Sequence, residues 1–362
     1  MSETSVPTPD TKSLPKIDYA YLEDVLVRLL NTPSPTGYAG AAISLLEEEL
    51  ARFPAVRFQR TKKGALLATL PGQKESAGAL RGLTAHVDTL GAMVKVIKPD
   101  GRIEVSPLGG FAWGSVEGEG CLVHTRNKGT IRGSFMPNKA SVHVYGNVVR
   151  EEKRTPESMA IRLDERVKTA DETRALGIEV GDFVSFDPRV EVHNGFIRSR
   201  HLDDKAAVAI LLAAVKALHD SGQIPAVETC LLFANYEEVG TGGSSDVPAS
   251  VEEFVAVDMA AIGEGQNSDE FHASLCVKDA GGPYNHGLSI KLREIAEKHN
   301  IPYKVDIYVS YGSDAGAYAR AGGSAAIALI GPGVESSHHY ERTHKDALLA
   351  STQWVIAYLL DA

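Results

Sequence analysis

Apolar residues recur at helical spacing through "YAYLEDVLVRLL", starting at Tyr19, which predicts an amphipathic helix there. The prolines and glycine of "NTPSPTGY" break it, and "AGAAISLLEEELARF" resumes the same period. Strand-like runs follow at "AVRFQR", "ALLATL" and "ALRGLTAHVD". From about Met93 to Val190 the pattern changes to short alternating runs ("MVKVIK", "RIEVSPL", "CLVHT", "GTIRGSF", "ASVHVYG", "MAIRLD", "DFVSFDPRV") separated by Gly, Asn and Pro. That predicts a small β barrel or sandwich, with a helical turn or two at "TADETRALG". After "NGFIRSR" long helical patterns alternate with apolar strands, from "DDKAAVAILLAAVKALHD" to a closing helix at "KDALLAS". Such alternation predicts a mostly parallel or mixed sheet covered by helices.

The predicted fold is therefore an α/β, mixed-sheet domain split by an inserted β-rich one. Residues 18–92 and 191–362 form the first and residues 93–190 the second. A chain of 362 residues suits two domains at ~150 residues each. Residues 1–17, "MSETSVPTPDTKSLPKI", read as a disordered arm; they lack the basic start and apolar centre of a signal peptide. No apolar run reaches the ~18 residues of a membrane span.

Composition narrows the partners. Lys and Arg total 37 against 47 Asp and Glu, a net charge of -10, which argues against nucleic acid or an anionic membrane and directs attention to cations. Cys121, Cys230 and Cys276 are widely spaced without a CxxC; they read as reduced core thiols of a cytoplasmic protein.

Polar residues gather where the α/β strands end, the place where open α/β sheets build their sites. The strand "RGLTAH" delivers His86, with Asp88 two residues on. Asp203 and Asp204 follow the insertion, Glu237 and Glu238 follow "CLLFANY", and Asp258 follows "EEFVAV". "SSHHYERTH" adds His338, His339 and His344. Helix capping accounts for one of the two adjacent aspartates, leaving the other to be explained. Several carboxylates converging with histidines and few cations repel one another unless a metal intervenes. The ligand count favours two divalent ions, zinc first, with cobalt and manganese also suited to imidazole and carboxylate. Ions roughly 3.5 to 4 Å apart need a bridging carboxylate. Asp203 is assigned that bridge, while Asp204 caps the helix and hydrogen-bonds nearby. Of Glu237 and Glu238, side by side on an extended segment, one can ligate while the other faces substrate and moves the proton of an attacking water. The predicted reaction is amide hydrolysis.

The ordered set "AHVDTLG", "RHLDDKA", "EEVGTGG", "AVDMA" and "YGSDAGA", with a β insertion after the first, resembles the tetrahedral, dodecamer-forming metalloaminopeptidases related to glutamyl aminopeptidase, metallopeptidase family forty-two. The likeness covers residues 19 to 360. It is strongest to a branch associated with the osmoprotectant N-acetylglutaminylglutamine amide, which shares "SRHLDDKA" and a "SHxYERTH" ending. The resemblance implies His86 and Asp258 on one metal, Glu238 and His338 on the other, Asp203 between them, and Glu237 as general base. It implies that Asp88 orients His86, and that Ser313 and Asp314 lie beside the substrate. It further implies a short peptide or capped dipeptide as substrate, and a dimer-based homo-oligomer, up to a dodecamer, assembled through the β insertion. His339 is the alternative to His338. Thr89 stands where the family often has an acidic residue, which favours a neutral pocket and a capped substrate.

Two other readings fit the sequence less well. Related two-metal carboxypeptidases and acylases carry their accessory domain after the residue matching Asp258, whereas here it lies between His86 and Asp203. A non-catalytic, metal-stabilised binding protein has no need of Glu237 beside a complete ligand set.

Overall fold

The computed structural model describes residues 13–74, 76 and 78–362. Most of the expected arm, residues 1–12, lies outside the described residues. Its end is tied down, since Leu14 and Ile17 pack against the core.

Helix α1 (Tyr19–Leu30) starts where the Asp18 carboxylate accepts the N–H of Tyr21, and α2 (Gly40–Leu50) follows the proline-rich break. Three strands come next: β1 (Arg57–Arg60), β2 (Leu66–Leu70) and β3 (Arg81–His86). The insertion contributes β4 (Gly91–Ile97), β5 (Ile103–Leu108), β6 (Gly120–His124), β7 (Thr130–Pro137), β8 (Met159–Leu163) and β9 (Phe183–Phe186). These close into a barrel in the order β4-β5-β8-β7-β6-β9. Its interior is filled by Val94, Val105, Phe135, Ile161 and Val184 among others, all buried. Between these strands lie the short helices α3 (Val142–Tyr145), α4 (Val148–Glu151) and α5 (Ala170–Ala175).

The chain then rejoins the large sheet with β10 (Glu191–His193) and β11 (Phe196–Ser199), α6 (Leu202–Ser221), β12 (Thr229–Ala234), β13 (Glu253–Val257) and β14 (Ala260–Ile262). It ends through β15 (Ala273–Asp279), β16 (Gly282–Pro283), α7 (His286–Lys298), β17 (Tyr303–Ile307), α8 (Asp314–Arg320), β18 (Ala326–Glu335), β19 (Glu341–His344) and α9 (Lys345–Leu360). The sheet runs β1-β2-β12-β3-β13-β18-β19-β11-β10, with β14 to β17 branching from β18 and β15.

Strands β12, β3, β13 and β18 are parallel and adjacent. Every residue of β3 and β12 is buried, as expected for strands covered on both faces, which read as continuous apolar runs. Helix α6 is buried nearly all round, packed on α1, α9 and β3. Its unbroken apolar sequence is that of a core helix and lacks the polar face of a surface one.

The insertion leaves the sheet across a tight junction. A Cβ at Gly91 would fall 2.5 Å from the Pro35 Cβ and 2.8 Å from the Val184 carbonyl oxygen, so only glycine fits between the two domains. Glu119 of the barrel pairs with Arg189 at 2.7 Å and with the buried Arg200 at 3.4 Å. One expectation fails here. "ASVHVYG" forms part of α3, with Val142 and Val144 exposed, and not a barrel strand; two valines at period 2 imitate a strand face without a partner strand to cover them.

Candidate metal centre

Strands β3, β12 and β13 run in register, with His86 opposite Ala234 and Thr84 opposite Ala256. Their carboxyl ends therefore open on one side of the sheet, and that edge carries the site. His86 is the last residue of β3, Glu237 and Glu238 follow β12 by a turn, and Asp258 follows β13 directly. Asp203 comes from the amino end of α6, and His338 from the loop joining β18 to β19.

Two groups of side chains form where these meet. His86, Asp203 and Asp258 each offer a ligand atom, and so do Asp203, Glu238 and His338, with the atoms of each group within 4.8 Å of one another. Asp203 belongs to both. Its Oδ1 lies 3.1 Å from Nε2 of His86, and its Oδ2 lies 3.4 Å from Nε2 of His338. Nε2 of His338 is also 3.5 Å from Glu238 Oε2. Glu237 stands outside both groups, its Oε2 3.7 Å from His86 Nε2.

Both histidines are turned the same way by main-chain carbonyls. Nδ1 of His86 donates to the carbonyl of Asp88 at 2.9 Å, and Nδ1 of His338 donates to the carbonyl of Gly110, in the insertion. A carbonyl only accepts, so each ring carries its proton on Nδ1 and leaves the Nε2 lone pair for a metal.

The electrostatics call for cations. Burial, reinforced by Asp258 and Asp203 respectively, holds the carboxyls of Asp204 and Glu238 far above the usual range. Burial also raises Glu237 strongly. Burial and the charge of Asp203 lift Asp258 to about 7 and Glu341 to about 8. Burial would push His338 down, but the Asp203 hydrogen bond and the charges of Asp203 and Glu238 raise it to about 10, so without a cation its Nε2 also holds a proton, which a metal ligated there would displace. Oδ1 of Asp204 is buried without a hydrogen-bond partner among the described residues. A cluster this rich in buried acid, with imidazole nitrogens aimed into it, fits divalent ions of the zinc type.

Several expectations are corrected. Asp204 does not cap α6: no N–H of the first turn bonds to its carboxylate. Regular helix begins only after it, because Asp203 and Asp204 both have non-helical dihedral angles. Instead Oδ2 of Asp204 accepts the main-chain N–H of His86 at 3.2 Å. Glu237 and Glu238 lie in a short 3₁₀ turn after Tyr236, whose φ is +78°, and not on an extended segment. The turn, not a pleat, separates their side chains. Asp88 holds His86 through its carbonyl; its carboxylate accepts the N–H of Glu237 at 3.2 Å, the N–H of Glu238 at 3.4 Å and the hydroxyl of Thr36 at 2.8 Å.

A cavity of about 580 Å³ opens onto the centre. Ser313 and Asp314 do not line it. Both are buried: Ser313 caps α8 and bonds the Tyr284 hydroxyl, and Asp314 accepts from Gly243 N and Thr84 Oγ1. The wall comes from the residues just before them, Tyr308 to Gly312. Thr89 is buried, donates to the Leu90 carbonyl and does not line the cavity either. His339 is exposed and belongs to neither ligand group, and His344 caps α9.

Glu341 was missed in the sequence. It is 2 % exposed, and its two carboxylate oxygens accept the main-chain N–H groups of Asp203 and His338, each at 3.1 Å. The signal was slight, an acid three residues after a candidate ligand at the start of the next strand. Four of the eight non-glycine residues with positive φ among the described residues, His201, Tyr236, Ser336 and His338, also sit at this centre. Strain of that kind, of order 1 kcal/mol or more per residue, gathers at functional sites.

The family described as M42 glutamyl aminopeptidase matches residues 64–353. The chain is 47% identical over 337 residues to the "Putative aminopeptidase YhfE" of Bacillus subtilis (strain 168), covering 93% of this chain and 96% of the relative. It is 26% identical over 294 residues to the glutamyl aminopeptidase of Lactococcus lactis subsp. cremoris (strain MG1363), covering 77% and 79%. Among solved structures it is similar to the aminopeptidase APDkam598 of the archaeon Desulfurococcus kamchatkensis (TM-score 0.84, 21% identity, 95% of each chain). It is also similar to the TET1 peptidase of Pyrococcus horikoshii, which can assemble into a tetrahedron or a large octahedral shell (TM-score 0.82, 20% identity, 94% of this chain and 100% of that one).

Proposed function

Since the chain belongs to the M42 glutamyl aminopeptidase family, we propose that it hydrolyses the amino-terminal amide bond of short peptides at a two-metal centre. The observation that carries this reading is the sharing of Asp203 between two ligand groups, with Glu237 left over beside them. His86 and Asp258 would hold one ion, Glu238 and His338 the other, and Asp203 both. Zinc suits imidazole and carboxylate ligands best, with cobalt and manganese next. Such a pair of ions supplies Lewis-acid polarisation of a carbonyl and lowers the pKa of water.

The chain's own residues do the rest. Glu237, its carboxyl raised by burial and facing the cavity, takes the proton of the attacking water and returns it to the leaving amine. The carboxylate of Asp88 fixes the turn that presents Glu237, and Glu341 fixes the two segments that present Asp203 and His338.

The catalytic domain comprises residues 18–92 and 191–362, and residues 93–190 serve assembly into a dimer-based homo-oligomer. That assembly extends to this chain what is said of the TET1 peptidase. The expected compartment is the cytoplasm. The likeness of "SRHLDDKA" and "SHHYERTH" to the N-acetylglutaminylglutamine amide branch supports a capped dipeptide amide among the substrates. The position of Thr89, buried and not among the residues lining the cavity, adds nothing to that preference.

The test is hydrolysis by metal-loaded protein of free and N-acetylated glutaminylglutamine amide at equal concentration, before and after chelation. Turnover of either that chelation abolishes supports the two-metal hydrolase, and turnover indifferent to chelator contradicts it. Turnover of the free peptide alone removes the capped substrate and leaves an aminopeptidase.

A further inference from the structure

Beyond the ligand groups, the cavity wall includes Met259, Ala261, Gln266, Tyr308, Ser310 and Tyr311, Ser337 beside it gives its hydroxyl proton to Asp203, and no lysine or arginine lines the cavity. What these side chains can offer an incoming group follows from where their protons already go. In the orientation that satisfies its surroundings, the Gln266 carboxamide directs its nitrogen at the carbonyl of Ile307 (3.0 Å) and at Oδ1 of Asp306 (2.7 Å). Both of its N–H groups are thereby used, and only its carbonyl oxygen, an acceptor, is left. Tyr308 lies 3.0 Å from Ser268 Oγ, whose single proton goes to Asp306 Oδ2 at 2.8 Å. The phenol therefore donates to Ser268 and keeps only lone pairs. Tyr311 gives its proton to the Met259 carbonyl at 2.9 Å, with the same result. Ser310, exposed, is the wall side chain free to turn a hydroxyl proton either way. Asp306, the anchor behind Gln266 and Ser268, is itself buried and receives the N–H groups of Asn267, Ser268 and Ile307.

Resting on the hydrolase reading above, we propose that this wall is the pocket for the substrate's first side chain and that it selects a neutral, donor-bearing side chain against an acidic one. A carboxylate brings only acceptors to a wall of acceptors, and no fixed positive charge offsets its loss of water. A neutral N–H or O–H donor finds the acceptor oxygen of Gln266, while Met259 and Ala261 cover its methylenes. An ammonium would also find acceptors, but it would lose its hydration while the carboxylate behind the wall, Asp306, is already engaged by Gln266, Asn267, Ser268 and Ile307. Gln266 is the specificity-determining residue, because its acceptor is held by two anchors.

The experiment compares kcat/KM of the metal-loaded wild type on aminoacyl amides carrying Gln, Glu, Asn, Asp, Lys and Leu side chains. Unpaired groups in a fully enclosed polar site reject a mismatched partner by 10⁴-fold or more, so about 10²-fold is expected of this open cavity for Gln over Glu. Asn should exceed Asp likewise. In Gln266→Met, which keeps the bulk and removes the acceptor, the Gln-to-Leu ratio should fall about tenfold. Glu cleaved as well as Gln, or Lys better than Gln, overturns the proposal while leaving the hydrolase reading intact. No hydrolysis of any of the six overturns the proposal, and the hydrolase reading falls with it if neither glutaminylglutamine amide, free or N-acetylated, is turned over.

Discussion

The carboxylate of Asp88 accepts the main-chain N–H of Glu237 at 3.2 Å, so the residue two past the end of β3 also fixes the turn that follows the adjacent strand β12 and presents the proposed general base. Asp88→Asn should retain the fold, because the substitution is nearly isosteric. One of the two N–H groups would then face an amide NH₂. The expected effect is a 10- to 100-fold loss in activity or metal affinity, the range found when supporting partners of metal ligands are removed. Titration of the apoprotein with zinc and a kcat measurement check it together.

Glu237→Gln separates proton transfer from metal binding. The amide cannot take the water's proton, and a loss of ~10²-fold or more in kcat is expected of a missing general base. Metal content should stay at the wild-type value. Loss of metal in this variant, with retention in Glu238→Gln, would reverse the assignment of the pair.

Glu341→Gln addresses the residue that sequence reading passed over. One carboxylate bridges the backbone of Asp203 and of His338, so an amide satisfies one N–H and opposes the other. Competition with a chelator should show metal affinity reduced about tenfold or more, while thermal unfolding of the metal-free protein changes little.

Leu211 is 1 % exposed inside α6, the helix whose amino end presents Asp203. Leu211→Ala should cost about 2 to 5 kcal/mol of stability, read as a lowered denaturant midpoint in equilibrium unfolding.

Much of this arrangement was legible in the chain. Asp258 directly follows the apolar run "FVAV", Glu238 comes shortly after "CLLFA", and His86 ends the fully buried "RGLTAH", the kind of mark that strands covered on both faces leave. The barrel could be read from its alternation and turn residues. What escaped the sequence is backbone geometry. The 3₁₀ turn at Glu237 depends on Tyr236 holding a left-handed φ, a conformation no tyrosine advertises. Asp204 looks like a helix cap by residue type, yet its carboxylate turns to the N–H of His86, a contact 118 residues away in the chain. Val142 and Val144 imitate a strand because period 2 over so few residues does not separate strand from short helix. Glu341 was hidden by its neighbours, since an acid between a tyrosine and an arginine reads as half of a surface ion pair.

The account turns on one carboxylate serving two ions. Its direct test is the metal stoichiometry, by elemental analysis after zinc loading and dialysis, of the wild type, His86→Ala, His338→Ala and Asp203→Ala. Two ions per chain in the wild type, about one in each histidine variant and close to none in Asp203→Ala is the predicted result. One ion per chain in the wild type, or an Asp203→Ala variant that still holds two, would contradict it.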